Sequence, residues 1–257
     1  MYTFNINSAA ELLEIIAQHY GLKKPFSLVR IGDGENFILA QEPIHTAREL
    51  IAMYNVVADC RYSGIAIPNP EARDRLLGAV RRATVVGFLN QTDCYCWYPM
   101  TKKIFDHYGI KPSRSCYAFI NLELVTLPHF YDLFRQARIL LIGKPMTKLA
   151  EILIRRYRFS NIVGVLNLRD YRDLDRVLEL MPGYNFEAAF VAAGANAKIV
   201  ATAAMDMGRM GLDLGHAADS IISCDEQNRF AWDTPAYQAR KGFVYGCRNP
   251  IPSVRRY

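Results

Sequence analysis

The 257-residue sequence contains no run of about 18 apolar residues, so it offers no segment long enough to cross a bilayer as a helix. Its first residues, Met1-Tyr2-Thr3-Phe4-Asn5, do not follow the charged-then-apolar pattern of an export leader, and the expected location is cytoplasmic. Cysteine is sparse. Cys60, Cys94, Cys96, Cys116, Cys224 and Cys247 include no CxxC pair and are too dilute for a disulfide framework. Cys94 and Cys96 make half of a metal-site spacing without a second pair, so reduced, mostly buried thiols are expected. Neither GxGxxG nor GxxxxGK[ST] occurs, which excludes the standard dinucleotide fingerprint and the P-loop. Internal repeats, low-complexity tracts and obvious linkers are absent as well. The formal charge of +6 is not gathered into one block but scattered over Arg73, Arg75, Arg81, Arg82, Arg155, Arg156, Arg255 and Arg256. Scattered basicity suits phosphorylated small molecules, and no nucleic-acid partner is expected.

What the sequence does have is apolar content, 51% of residues, enough for one sizeable core in a single domain spanning 1–257. Helical spacing over 9–19 places Ser8 at an N-cap and Gly21 at a stop. A buried strand follows at 26–31. Further short apolar runs, each closed by Gly, Pro or Asn, fall at 64–70, 84–91, 138–145, 161–168, 188–196 and 211–216. Helical patterns, such as 147–157 and 197–207, separate most of them. Continuous apolar strands alternating with helices predict an α/β fold, a Rossmann-like, mostly parallel sheet with helices on both faces. The aromatic-rich stretch 94–127 fits this alternation poorly and reads as a helical insertion over the sheet, and the tail from Asn249 reads as extended.

Ligands of such sheets lie outside the carboxyl ends of the strands, so the residues there carry the functional argument. In "SLVRIGDGENFILA" (27–40), Gly32 and Gly34 bracket Asp33, and Glu35 opens a helix. The glycines free the backbone so that both carboxylates can face one point, and carboxylate oxygens suit Mn²⁺ or Mg²⁺. The bland alternative makes Asp33 a helix cap and Glu35 a charge favoured by the helix start. Arg30, just before the turn, suits a phosphate or can orient a carboxylate. In "FVAAGANAKIVATAAMDMGRMGLDLGH" (190–216), a strand ends near Gly194, a helix begins near Asn196, and a second strand runs into Gly215 and His216. Small residues at 193–195 would let a phosphate approach the helix start. Lys144, following the strand "RILLI", is placed to offer a diphosphate a point charge.

Together, "VRIGDGE" (29–35) and "GLDLGH" (211–216), with strand–Gly–helix between them, resemble the GT-D-type glycosyltransferases. The resemblance runs in order from about residue 26 to 219. It implies a Rossmann-like fold and transfer of a sugar from a nucleotide-diphosphate donor, a UDP-sugar, to a glycan or glycoprotein. It makes Asp33 and Glu35 ligands of a divalent metal and of the donor, with Arg30, Gly194, Asp213 and His216 at the edge of the site, and the loop chemistry above adds Gly32, Lys144 and Asn196 to the donor side. The Gly-His pair is followed here by Ala217-Ala218-Asp219-Ser220, so Asp219 is the one acid after it. Asp219, His216 and Glu123 are the candidates for the base that deprotonates an acceptor hydroxyl. A homodimer is the assembly considered. Two rival readings remain open at this point: a nucleotide-binding module without turnover, and a methyltransferase-like α/β enzyme.

Overall fold

The computed structural model describes residues 2–54, 63–90 and 97–235. In chain order the elements are α1 (Ala9–Gly21), β1 (Phe26–Ile31), α2 (Asp33–Ala40), α3 (Ala47–Tyr54), α4 (Pro70–Arg82), β2 (Val85–Phe88), α5 (Tyr98–Tyr108) and β3 (Ser115–Tyr117). They continue with α6 (Ile120–Leu124), α7 (Pro128–Phe134), β4 (Ile139–Gly143), α8 (Met146–Arg155), β5 (Ile162–Leu166) and α9 (Leu174–Leu180). Last come β6 (Ala188–Ala192), α10 (Asn196–Asp206), β7 (Met210–Asp213) and α11 (Ala217–Glu226). The strands form one seven-stranded sheet in the order β3-β2-β1-β7-β6-β4-β5, every pair parallel.

All six residues of β1 and all five of β4 and β6 are buried, because helices cover both faces of the sheet. One face packs Leu12, Ile16, Phe130, Phe134, Leu149 and Ile221 over Phe26, Leu28, Leu141 and Phe190. The other carries Ile38, Leu76 and Ile104 over Val29, Ile31 and Phe88, and continues under α10 through Val200 and Ala204 over Leu140 and Val191. Cys116 and Cys224 are free and buried, and burial pushes the Cys116 thiol up to about 12. The other four cysteines lie outside the described residues.

Two expectations from the sequence need correction. Residues 64–70 form no strand. Gly64 has a positive φ of 75°, Pro68 has no N–H for a ladder, and Asn69 instead caps α4 by accepting from Ala72 N at 3.0 Å. With Ser63 before it, the segment latches onto the start of α10 and the turn before α9: Ser63 O accepts from Ala195 N (2.9 Å), and Gly64 O accepts from Tyr171 N (2.8 Å). Likewise, 94–127 is no purely helical insertion. Its described part supplies β3, which extends the sheet beside β2 through Val86↔Ser115 and Phe88↔Tyr117. Both aromatic-rich helices and a three-residue strand share that stretch, and a strand so short leaves little periodicity to read.

The order of the strands decides where a ligand can sit. After β1 the chain moves outward through β2 to β3, while β7 closes against the other side of β1. The carboxyl ends of β1 and β7 therefore flank a topological switch point, where loops diverge and leave a crevice.

Candidate functional site

That crevice is a cavity of about 340 Å³, lined by Arg30, Asp33, Glu35, Lys198, His216 and Asp219 among polar residues. Ser63, Phe119, Pro145 and the glycines 32, 34, 194 and 215 complete much of its wall. Three helices start there. α2 follows β1, α10 follows β6 and α11 follows β7, and each points its positive end at the same space.

Arg30 anchors the floor. Its Nη2 donates to Asp213 Oδ1 (2.9 Å) and its Nε to Asp213 O (3.1 Å). Its Nη1 donates to Ala118 O (3.1 Å) and Asn121 Oδ1 (3.0 Å). Asn121 in turn donates to Leu214 O, which ties α6 to the loop after β7. Two glycines make room for this guanidinium. Gly87, the sheet neighbour of Arg30, would bring a Cβ within 3.2 Å of the Arg30 Cγ. At Gly215, with φ +45°, a Cβ would fall 2.0 Å from Arg30 Nη2.

Lys198, 4% exposed on the first turn of α10, is the second buried cation. Its Nζ lies 2.6 Å from Glu35 Oε1, 3.0 Å from Asp213 Oδ2 and 3.1 Å from Gly194 O. The other Glu35 oxygen, Oε2, accepts from Gly32 N at 2.8 Å, closing the first turn of α2. Burial alone would raise Asp213, but Arg30 and Lys198 hold its carboxyl below the usual range.

Arg30 and Lys198 balance Asp213 and Glu35. Asp33 is a further carboxylate. Burial, reinforced by the charge of Glu35, raises its pKa, against the opposing pull of its bond from Gly34 N (2.9 Å) and of His216. Keeping it ionised at neutral pH costs the fold stability. Asp33→Asn should therefore raise the melting temperature near pH 7, and the gain should shrink as pH falls through the folded pKa and vanish below about pH 4, where the unfolded carboxylate also protonates. Thermal melts across that range check it.

The structure brings Arg30, Gly32, Asp33, Glu35, Gly194, His216 and Asp219 to one cavity, with Asp213 fully buried beneath it. His216 Nδ1 and Asp219 Oδ2 stand 3.0 Å apart at the exposed mouth. Three expected residues are not among those lining the cavity: Lys144 is exposed beside Pro145, Glu123 sits half-buried on α6, and Asn196 is buried at the start of α10. Asn196 Nδ2 donates to Gly64 O, while its Oδ1 is buried without a hydrogen-bond partner. Sequence reasoning missed Lys198, Asn121 and Phe119. Lys198 did carry a signal, since it is the sole charge in the apolar run 188–205.

A divalent cation fits only part of this carboxylate set. Glu35 has Lys198 on one oxygen and Gly32 N on the other, whereas Asp33 keeps carboxylate surface toward the cavity. Among the described residues no group of three or more His, Cys, Asp and Glu is arranged to hold a metal.

These features define a parallel α/β protein with a polar cavity at its switch point. The GT-D fold-like domain model matches residues 7–221, and the chain belongs to that family. Solved structures share the fold. A selenomethionine-substituted domain of unknown function 1792 is 17% identical with a TM-score of 0.56, over 91% of this chain and 92% of that one. Another structure of that domain, described as having a distinct glycosyltransferase fold, is 16% identical with a TM-score of 0.54, again over 91% and 92%. A glycosyltransferase of this type from Streptococcus sanguinis is 16% identical with a TM-score of 0.56, over 88% and 86%. No curated protein matches the sequence. Among the described residues no helix is long and apolar enough to cross a membrane.

Proposed function

We propose that the protein is a glycosyltransferase that moves a sugar from a nucleotide-diphosphate donor, a UDP-sugar, to a hydroxyl of a glycan or glycoprotein. The observation that carries this reading is the convergence of three helix N-termini with Arg30, Lys198 and Asp33 in one cavity at the switch point. A diphosphate there meets the positive helix ends and a buried cation, and the half-buried Phe119 ring on the wall offers a stacking surface for a base or sugar.

In the transfer, the bond between the sugar's anomeric carbon and the diphosphate oxygen breaks, and a bond to the acceptor oxygen forms. The nucleoside diphosphate leaves with the electron pair. His216 accepts the acceptor proton, and Asp219, bonded to its Nδ1, orients the ring so that Nε2 does this work. Asp33 would hold Mn²⁺ or Mg²⁺, which when bound offsets charge on the diphosphate as a Lewis acid.

A nucleoside-diphosphate release assay over a panel of nucleotide sugars, with glycan acceptors and with and without Mn²⁺, tests the reading. Acceptor-dependent release of UDP is expected. Binding of nucleotide sugars with no release under any pairing would favour the module that binds without turnover.

A further inference from the structure

We propose that Glu35 serves as the counter-ion that positions Lys198, and that Lys198 is the fixed cation meeting the donor's diphosphate, so that the two acids of the Asp33-Gly34-Glu35 turn have different jobs. The proposal rests on the donor reading above.

Three observations support it. First, the Glu35 carboxylate points inward and both oxygens are engaged, Oε1 by Lys198 at 2.6 Å and Oε2 by Gly32 N at 2.8 Å. An ammonium at that distance would repel a divalent ion brought to the same oxygen. Second, Lys198 lies in the cavity wall at the first turn of α10, where anions are favoured, and is held by two carboxylates and Gly194 O. Two ion pairs and the hydrogen bond to Gly194 O hold its Nζ, so its position is set before any ligand arrives. A phosphate oxygen can replace the neutral carbonyl of Gly194 while both ion pairs persist, and the flexible stem allows that small shift. Third, Arg30 is committed elsewhere. It makes four hydrogen bonds, to Asp213, Ala118 and Asn121, through one planar fork that cannot turn toward a ligand without disturbing them together, whereas Lys198 on its flexible stem can exchange one partner alone. The sheet favours this division, since Glu35 follows β1, Lys198 follows β6 and Asp213 ends β7, three strands whose carboxyl ends adjoin.

The test is calorimetric titration of UDP and of uridine, each in EDTA and in Mn²⁺, into wild type, Lys198→Met and Glu35→Gln. In EDTA, Lys198→Met should weaken UDP by about 10- to 100-fold, the scale of one charge-assisted hydrogen bond, while uridine binds as in wild type. Glu35→Gln keeps an amide oxygen for Lys198 Nζ and leaves the Asp213 ion pair, so Lys198 stays in place; with one negative charge near the diphosphate gone, UDP in EDTA should bind as well or more tightly. The factor by which Mn²⁺ strengthens UDP binding should stay within about twofold of wild type, because Glu35→Gln removes no metal ligand under this proposal. A Glu35→Gln variant that loses the Mn²⁺ enhancement would make Glu35 a metal ligand and overturn the assignment. An unchanged ratio of UDP to uridine affinity in Lys198→Met would reduce Lys198 to a structural counter-ion. Should Lys198→Met not fold, Lys198→Gln, which keeps a donor to the two carboxylates without the charge, is read on the same UDP-to-uridine ratio, and Glu35→Gln decides the metal assignment through the Mn²⁺ factor. Failure of wild type to bind UDP in either condition would instead refute the donor reading itself.

Discussion

Replacing Asp213 by asparagine is expected to destabilise the fold by about 3–5 kcal/mol, the range for breaking a buried ion pair. Asp213 is fully buried between Arg30 and Lys198, and its loss leaves two buried cations facing Glu35 alone within the network. For a domain of this size the melting temperature should fall by roughly 6–20 °C. The pH dependence has a definite sign. Since the partners depress Asp213 in the folded state, its contribution is complete above the unfolded carboxylate pKa and is lost as pH falls through the folded one. The gap between wild type and Asp213→Asn should thus be constant from about pH 5 to 8 and narrow only below about pH 4. Asp33→Asn has the opposite sign at neutral pH, so the pair of variants separates the carboxylate that holds the floor from the one the cavity keeps at a cost. A buried salt bridge contributes little net stability over apolar packing, which makes a ligand the better reason for this cluster.

The second large effect concerns turnover. His216→Ala should lower kcat by about 10²- to 10⁴-fold, the usual contribution of a general base, with donor affinity nearly unchanged. His216 and Asp219 are both exposed at the mouth, so neither substitution should disturb the melting temperature by more than a degree or two. Asp219→Asn acts through the ring of His216. It should lower kcat less than His216→Ala, because the ring keeps Nε2 but loses the carboxylate that orients it through Nδ1. A normal kcat in His216→Ala would reassign the base. Steady-state kinetics across pH on the three proteins provides the comparison.

The parallel sheet was legible because β1, β4 and β6 are buried on both faces and therefore read as continuous apolar runs. The loops after β1, β6 and β7 could be singled out for the same reason, and Asp33, Glu35, Gly194 and His216 do share one cavity. Periodicity failed where chain length or turn chemistry overrode it. β3 has three residues, too few to show a period, and the apolar 64–70 run is spent on a proline-containing latch and an N-cap. Lys198 was hidden because a charged residue in a helix is normally assigned to the solvated face. Its burial depends on Glu35 and Asp213, which lie 163 residues before and 15 after it in the chain. Likewise Glu123 and Lys144 had the right chemistry near the right strands, but α6 presents Asn121 to Arg30, and the turn after β4 presents Pro145 to the cavity.

The most direct measurement is a crystal structure of the protein with UDP and Mn²⁺. The account predicts the diphosphate between the starts of α2, α10 and α11, within hydrogen-bond reach of Lys198 and beside Asp33, with the nucleoside against the cavity wall. A nucleotide bound outside this cavity, or a diphosphate in it turned away from both Lys198 and Asp33, would contradict the account.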